Sequence, residues 1–106
     1  VRRVAGLLNQ ALNRAPGREQ LYAAVVLEAT NLALREILPP ETSRRIRPYQ
    51  YKGGVVTLVA SSSVAASEVR MQSETILPAI AKILERRGIP KSPQEIRVRI
   101  GSVRNS

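Results

Sequence analysis

Arginine and tyrosine alternate through residues 45–51, Arg45-Ile46-Arg47-Pro48-Tyr49-Gln50-Tyr51, and two further arginines alternate with aliphatic residues in Ile96-Arg97-Val98-Arg99-Ile100. Period-two alternation marks a half-buried strand, whose successive side chains point to opposite faces. It predicts Arg45, Arg47, Tyr49 and Tyr51 on one face of one strand, and Arg97 and Arg99 on the outward face of another. Where those faces coincide, guanidinium groups and phenol rings share one surface. Guanidinium forks bind phosphate oxygens and aromatic rings stack on unpaired bases, so the combination suits single-stranded nucleic acid. The plainer reading of the same residues is a solvated sheet face kept soluble by arginine. A second basic cluster, Arg86, Arg87 and Lys91, falls where a helix should end. There it either contacts phosphate or complements the negative end of the helix dipole.

Other chemistry is short of parts. The chain has no His, no Cys and no Asp, which removes imidazole acid/base work, thiol nucleophiles and nearly all transition-metal sites. No catalytic residue, metal or cofactor is expected. The Ser61-Ser62-Ser63 run has no base to activate it and reads as a helix cap. Gly53-Gly54 lacks the Gly-Lys-Ser/Thr sequence of a phosphate loop. Most of the eight glutamates stand among arginines on predicted helices and read as solvated ion pairs.

At 106 residues the chain fits one domain over its whole length. Hydrophobic residues make up 43 %, with no Phe or Trp, so the core must be aliphatic. Seventeen basic residues against eight acidic ones give a net charge of +9. That charge draws the chain to nucleic acid, an anionic membrane or an acidic protein; adaptation to a basic proteome is the bland alternative. No apolar run is long enough to cross a membrane and no signal-peptide pattern is visible, so no membrane partner is expected. The absence of Cys is compatible with a cytoplasmic protein.

The elements follow from spacing. Val4, Leu7, Leu8, Ala11 and Leu12 make residues 2–14 an amphipathic helix, ended by Pro16-Gly17. Residues 18–38 form a longer helix with Leu21, Val25, Ala29, Leu32 and Leu34 on its buried side, stopped by Pro39-Pro40. A strand over 44–51 carries Pro48, which places it at a sheet edge. Gly53-Gly54 turns it into an antiparallel strand over 55–61. Ser62 or Ser63 then caps a helix reaching Arg87, with Val69, Ile76, Leu77, Ile80, Ile83 and Leu84 on its apolar face. Pro78 predicts a kink or a split over 72–78, and Gly88 a C-terminal cap. The last strand runs over 95–101. A helical crossover makes it parallel to its predecessor. The fold class is α+β: N-terminal helices over 1–38, then a strand-strand-helix-strand unit over 44–101 whose three-stranded mixed sheet is covered by helices on one face.

The span from Gly54 to Gly101 resembles the DciA family of bacterial replicative-helicase operators, which are built on a KH-like domain. The resemblance rests on Gly54, Val56, Leu58, Ser62, Ser63, Ala66, Glu68, Val69 and Arg70, and on the closing strand from Ile96 to Gly101. Ala65 stands where the family often has an aromatic residue, and the Trp common in the preceding long helix is absent. The resemblance implies a type II KH-like fold, helicase recruitment or loading, and DNA binding. A KH nucleic-acid reader clamps the backbone with a Gly-x-x-Gly loop. None occurs here, which favours a helicase operator over an ordinary KH reader. The leading expectation is a non-enzymatic replication factor that binds DNA, single-stranded by preference, and the replicative helicase. An RNA-binding or ribosome-associated KH-like factor and an interaction module for an acidic protein remain open, as does the oligomeric state.

Overall fold

The structure, a computed structural model, describes residues 17–102. The helix expected over 2–14 lies outside the described residues. The elements in chain order are helix α1 (Arg18–Ile37), a single helical turn α2 (Pro40–Ser43), strands β1 (Ile46–Lys52) and β2 (Val55–Ala60), helix α3 (Ser63–Arg86) and strand β3 (Glu95–Ile100). The sheet order is β1-β2-β3, with β1 antiparallel and β3 parallel to the central β2. This is the mixed sheet and the element order that the sequence predicts.

Strand β2 organises the core. Val56, Leu58 and Ala60 point to one side and are fully buried beneath the helices. From α3, Ala66, Val69, Ile76, Ile80 and Leu84 meet them at helical spacing. From α1 come Val26, Ala29, Ala33 and Leu34. Leu21 and Leu32, expected in the core, are instead 42 % and 41 % exposed. The reason is rotational. The buried row 26, 29/30, 33/34 fixes the inward side of α1, and at about 100° per residue Leu21 and Leu32 fall toward its far side, with Val25 on the flank and half-buried against the core. The inward side is instead lined with small residues that admit a close approach to α3. It includes buried Thr30, whose hydroxyl donates to the Val26 carbonyl at 2.7 Å and so leaves no unpaired polar atom.

Two expectations at the element ends are corrected. The first strand begins at Ile46 rather than 44, because Pro40–Ser43 closes one helical turn and Arg44 and Arg45 continue it as a turn. Helix α3 is not split at Pro78; it runs unbroken from Ser63 to Arg86. Pro78 is exposed, as is Glu74, the residue whose carbonyl loses its usual i+4 amide donor. Buried residues on both sides of it, Val69 and Ile76 before and Ile80 and Leu84 after, hold the two halves on one core.

The caps are as local chemistry requires. Ser62 is extended, and its hydroxyl oxygen accepts from the Ala65 amide at 3.1 Å. Ser63 is already helical and exposed. At the far end the Ile89 amide donates to the Leu84 carbonyl and the Gly88 amide to Glu85, around Gly88 at φ 76°. This Schellman closure seats buried Ile89 on the core. In the hairpin both turn residues have positive φ, 58° at Gly53 and 80° at Gly54, which suits glycine at both positions. Replacing Ser62 by Ala should lower the unfolding free energy by about 1 kcal/mol. Ser63→Ala should stay within about 0.5 kcal/mol of the parent. Urea titrations of the two variants check this, and equal losses would place the cap elsewhere.

Candidate nucleic-acid interface

The sheet has two unlike faces. Residues directly paired across strands share a face, so the register sorts every side chain. Ile46, Pro48 and Tyr51 of β1 pair with Ala60, Leu58 and Val56 and stand on the helix side. The other side carries three rows across the sheet: Arg47-Val59-Arg99, Gln50-Thr57-Arg97 and Lys52-Val55-Glu95. Among the described residues, the helices lie on the opposite face. Arg47, Gln50, Lys52, Arg97 and Arg99 are all exposed.

The sequence places Arg47, Tyr49, Arg97 and Arg99 on this face, and the structure brings them together there. It does not do so for Arg45 and Tyr51. Arg45 lies in the turn before β1, and its carbonyl accepts from the Ser61 amide at 2.9 Å. Tyr51 is turned to the helix side and packs half-buried against the core. The cause is a β-bulge. The pairing register shifts between Pro48 and Gln50, leaving Tyr49 as the extra residue. One extra residue reverses the alternation for everything after it. Proline has no amide hydrogen to give the ladder, so a bulge beside Pro48 costs the edge strand little.

At the bulge the Arg99 guanidinium carbon lies 4.6 Å from the centroid of the Tyr49 ring, a cation–π contact. Val59 is only 8 % exposed, although it points away from the helices of the described residues. Beside it a cavity of about 260 Å3 is lined by Arg47, Pro48, Tyr49, Val59 and Ser102. Gly101 keeps this corner low: a Cβ there would stand 3.1 Å from the Val59 methyl.

The opposite end of the face is weaker in charge. Glu95 accepts from the Arg97 Nε at 2.7 Å. That hydrogen bond, with the charge of the carboxylate, raises the Arg97 pKa above its ordinary value. Since arginine is protonated at any accessible pH, no pH switch follows. The basic end is therefore Arg47, Tyr49 and Arg99, and Glu95 offsets Arg97 at the other.

The second predicted cluster is divided among neighbours. Arg87 reaches across to α1 and donates to both Glu28 carboxylate oxygens, at 3.2 and 3.5 Å. It thus ties the C-terminus of α3 to α1. Arg86 is exposed in the last helical turn, as dipole complementation requires. Lys91 lines a cavity of about 320 Å3 at the hairpin end, beside Glu19, Tyr22, Tyr51 and Lys52.

A family model described as Dna[CI] antecedent, DciA, matches residues 4–98. The chain belongs to the DciA family. This family is associated with loading of the replicative helicase. A comparison with curated proteins finds no match to the chain. No helix among the described residues is long and apolar enough to cross a membrane. The positions that carry the family likeness are mostly architectural: Val56, Leu58, Ala66 and Val69 are buried, Ser62 is the cap and Gly54 completes the hairpin turn. Arg70 adds a tie. It donates to the Val98 carbonyl at 3.2 Å, from α3 onto β3.

Sequence reasoning about this DciA-family chain missed Gln50, Lys52 and Val59 as parts of the face. Pro48 inside an alternating run was the signal for the first two, because it marks a place where the period can slip. The bulge makes a stability prediction. Tyr51→Ala should cost about 2 kcal/mol, since a half-buried aromatic ring leaves the core. Tyr49→Ala should cost less than about 0.5 kcal/mol. Thermal or urea unfolding of both variants checks it, and the reverse order would restore unbroken alternation.

Proposed function

We propose that this protein is a non-enzymatic accessory factor of DNA replication that binds single-stranded DNA on the open sheet face and recruits or loads the replicative helicase through another surface. The observation that carries the reading is the convergence of Arg47, Arg97, Arg99 and Tyr49 from two strands on one exposed face. Three guanidinium groups and a ring suit backbone phosphates and an unpaired base, and need no base-reading motif. The helicase half of the proposal rests on family membership.

The two partners need not compete. On the side of α3 away from the core, Val64 and Met71 are 70 % and 81 % exposed. They are seven residues apart, so they share one stripe of the helix. Exposed apolar side chains in register are what a protein partner can cover. DNA on the sheet and a protein on the helices would then be held at once.

The deciding experiment is charge reversal. Arg97→Glu with Arg99→Glu should abolish DNA binding measured by fluorescence anisotropy, with unfolding unchanged, because both sites are exposed. Capture of the purified replicative helicase by the same variant should persist. Retention of DNA binding by the folded double variant would remove the sheet face from the function.

Salt dependence tests the charge gradient. With Arg97 held by Glu95, log affinity for a single strand should fall with log salt at a slope near −2. Freeing Arg97 by Glu95→Gln should steepen the slope by about 0.7. Glu85→Gln on exposed α3 removes the same charge elsewhere and should leave it unchanged. Equal slopes for the parent and Glu95→Gln would mean that Glu95 does not hold Arg97 back.

A further inference from the structure

The bulge does more than expose a ring: it leaves a recess beside it. The cavity of about 260 Å3 is lined by Arg47, Pro48, Tyr49, Val59 and Ser102. Arg99 covers Tyr49 at 4.6 Å but does not line the cavity. The volume lies just under the range of about 300–1,000 Å3 typical for drug-sized ligands and has room for a flat heterocycle.

We infer that this cavity takes a single unpaired base of a DNA strand, stacked on Tyr49, while phosphates flanking it lie toward Arg47 and Arg99. The inference rests on the reading of the open sheet face as a DNA-binding surface and adds how that surface selects single strands. A paired base is covered on both faces by its neighbours and cannot enter without leaving the stack. An unpaired base enters at little cost. Arg99 lies over the ring at 4.6 Å, so Tyr49 is held in place before the base arrives, and less order is lost on binding. The apolar lining is a ring, a pyrrolidine and a valine, which meet any base alike, so no strong sequence preference follows. Gly101 is part of the design: a side chain there would press on Val59 beside the recess.

The test separates base from phosphate on the unaltered protein. Affinity is measured for a thymidine oligomer, for an abasic oligomer of the same length and charge, and for the matching duplex. The thymidine oligomer should bind at least about five-fold tighter than the abasic one, the effect of one stacked base. It should also bind more tightly than the duplex. Tyr49→Ala should remove the difference between thymidine and abasic oligomers, and Tyr49→Phe should keep it. Equal, salt-dependent binding of the thymidine and abasic oligomers would overturn the base cavity while leaving the phosphate-binding surface in place. No binding of any oligomer would overturn both. Duplex binding as tight as single-strand binding, or a uridine ribo-oligomer bound far more tightly than its DNA counterpart, would also overturn the assignment.

Discussion

The pairing of β2 on both of its edges is the constraint on which the rest of the molecule depends. A strand in the middle of a three-stranded sheet has no free backbone edge, so its side chains can do nothing but define two faces. One face, Val56, Leu58 and Ala60, lies fully under the helices. Burying a Val or Leu side chain is worth roughly 1.5–3 kcal/mol, whereas an exposed ion pair is worth under about 1 kcal/mol. The aliphatic residues therefore decide which way the sheet faces, and the arginines occupy what is left. The basic surface is a consequence of the core before it is anything else.

With no Phe or Trp in the chain, that core has to be assembled from many small contacts. Branched aliphatic residues on α3 and β2 meet alanines on α1, and close approach replaces bulk. This explains why α3 tolerates Pro78. A helix held along its length by Ala66, Val69, Ile76, Ile80 and Leu84 has tertiary support on both sides of the missing hydrogen bond, and an exposed carbonyl can turn to water. Arg87 on Glu28 and Arg70 on the Val98 carbonyl add ties at each end of α3. Neither is a large energy, but both fix the rotation of the helix relative to α1 and β3.

The sequence made the fold legible wherever a period was unbroken. The last strand alternates cleanly, and the structure places Arg97 and Arg99 on one face and Ile96 and Val98 on the other, as the pattern requires. The crossover helix, the glycine hairpin and the serine cap are local chemistry and were equally readable. What could not be read was the consequence of a slip. A one-residue bulge has no hydrophobic signature of its own; it shows only as a proline where an amide should be. Its effect is large, because every side chain beyond it changes face: Tyr51 goes to the core, and Gln50 and Lys52 go to the open side. The misplacement of Leu21 and Leu32 has a different cause. In a helix rich in Ala and Leu, several stripes are apolar enough to be buried, and only the neighbours choose among them. The fate of Arg87 needed the third dimension outright, since Glu28 lies 59 residues away in the chain.

The open face is not a uniform basic plate, and its asymmetry follows from the order of residues along β3. Parallel pairing with β2 sets Glu95 at one end of the strand and Arg99 near the other. The antiparallel β1 brings Lys52 to the Glu95 end and Arg47 to the Arg99 end, so positive charge stands at both, and Glu95 offsets Arg97 toward the first. The aromatic ring and the cavity are at the other, where Arg47 and Arg99 stand. Attraction and shape therefore coincide at a single corner of the sheet. A polyanion drawn by the field of the whole molecule would meet its closest contacts there. The strand that made this corner is an edge strand interrupted by proline, which by the logic of sheet protection is poorly suited to pairing with another chain. The interruption that guards the edge is also what lifts Tyr49 out of the ladder and opens the recess beside Val59.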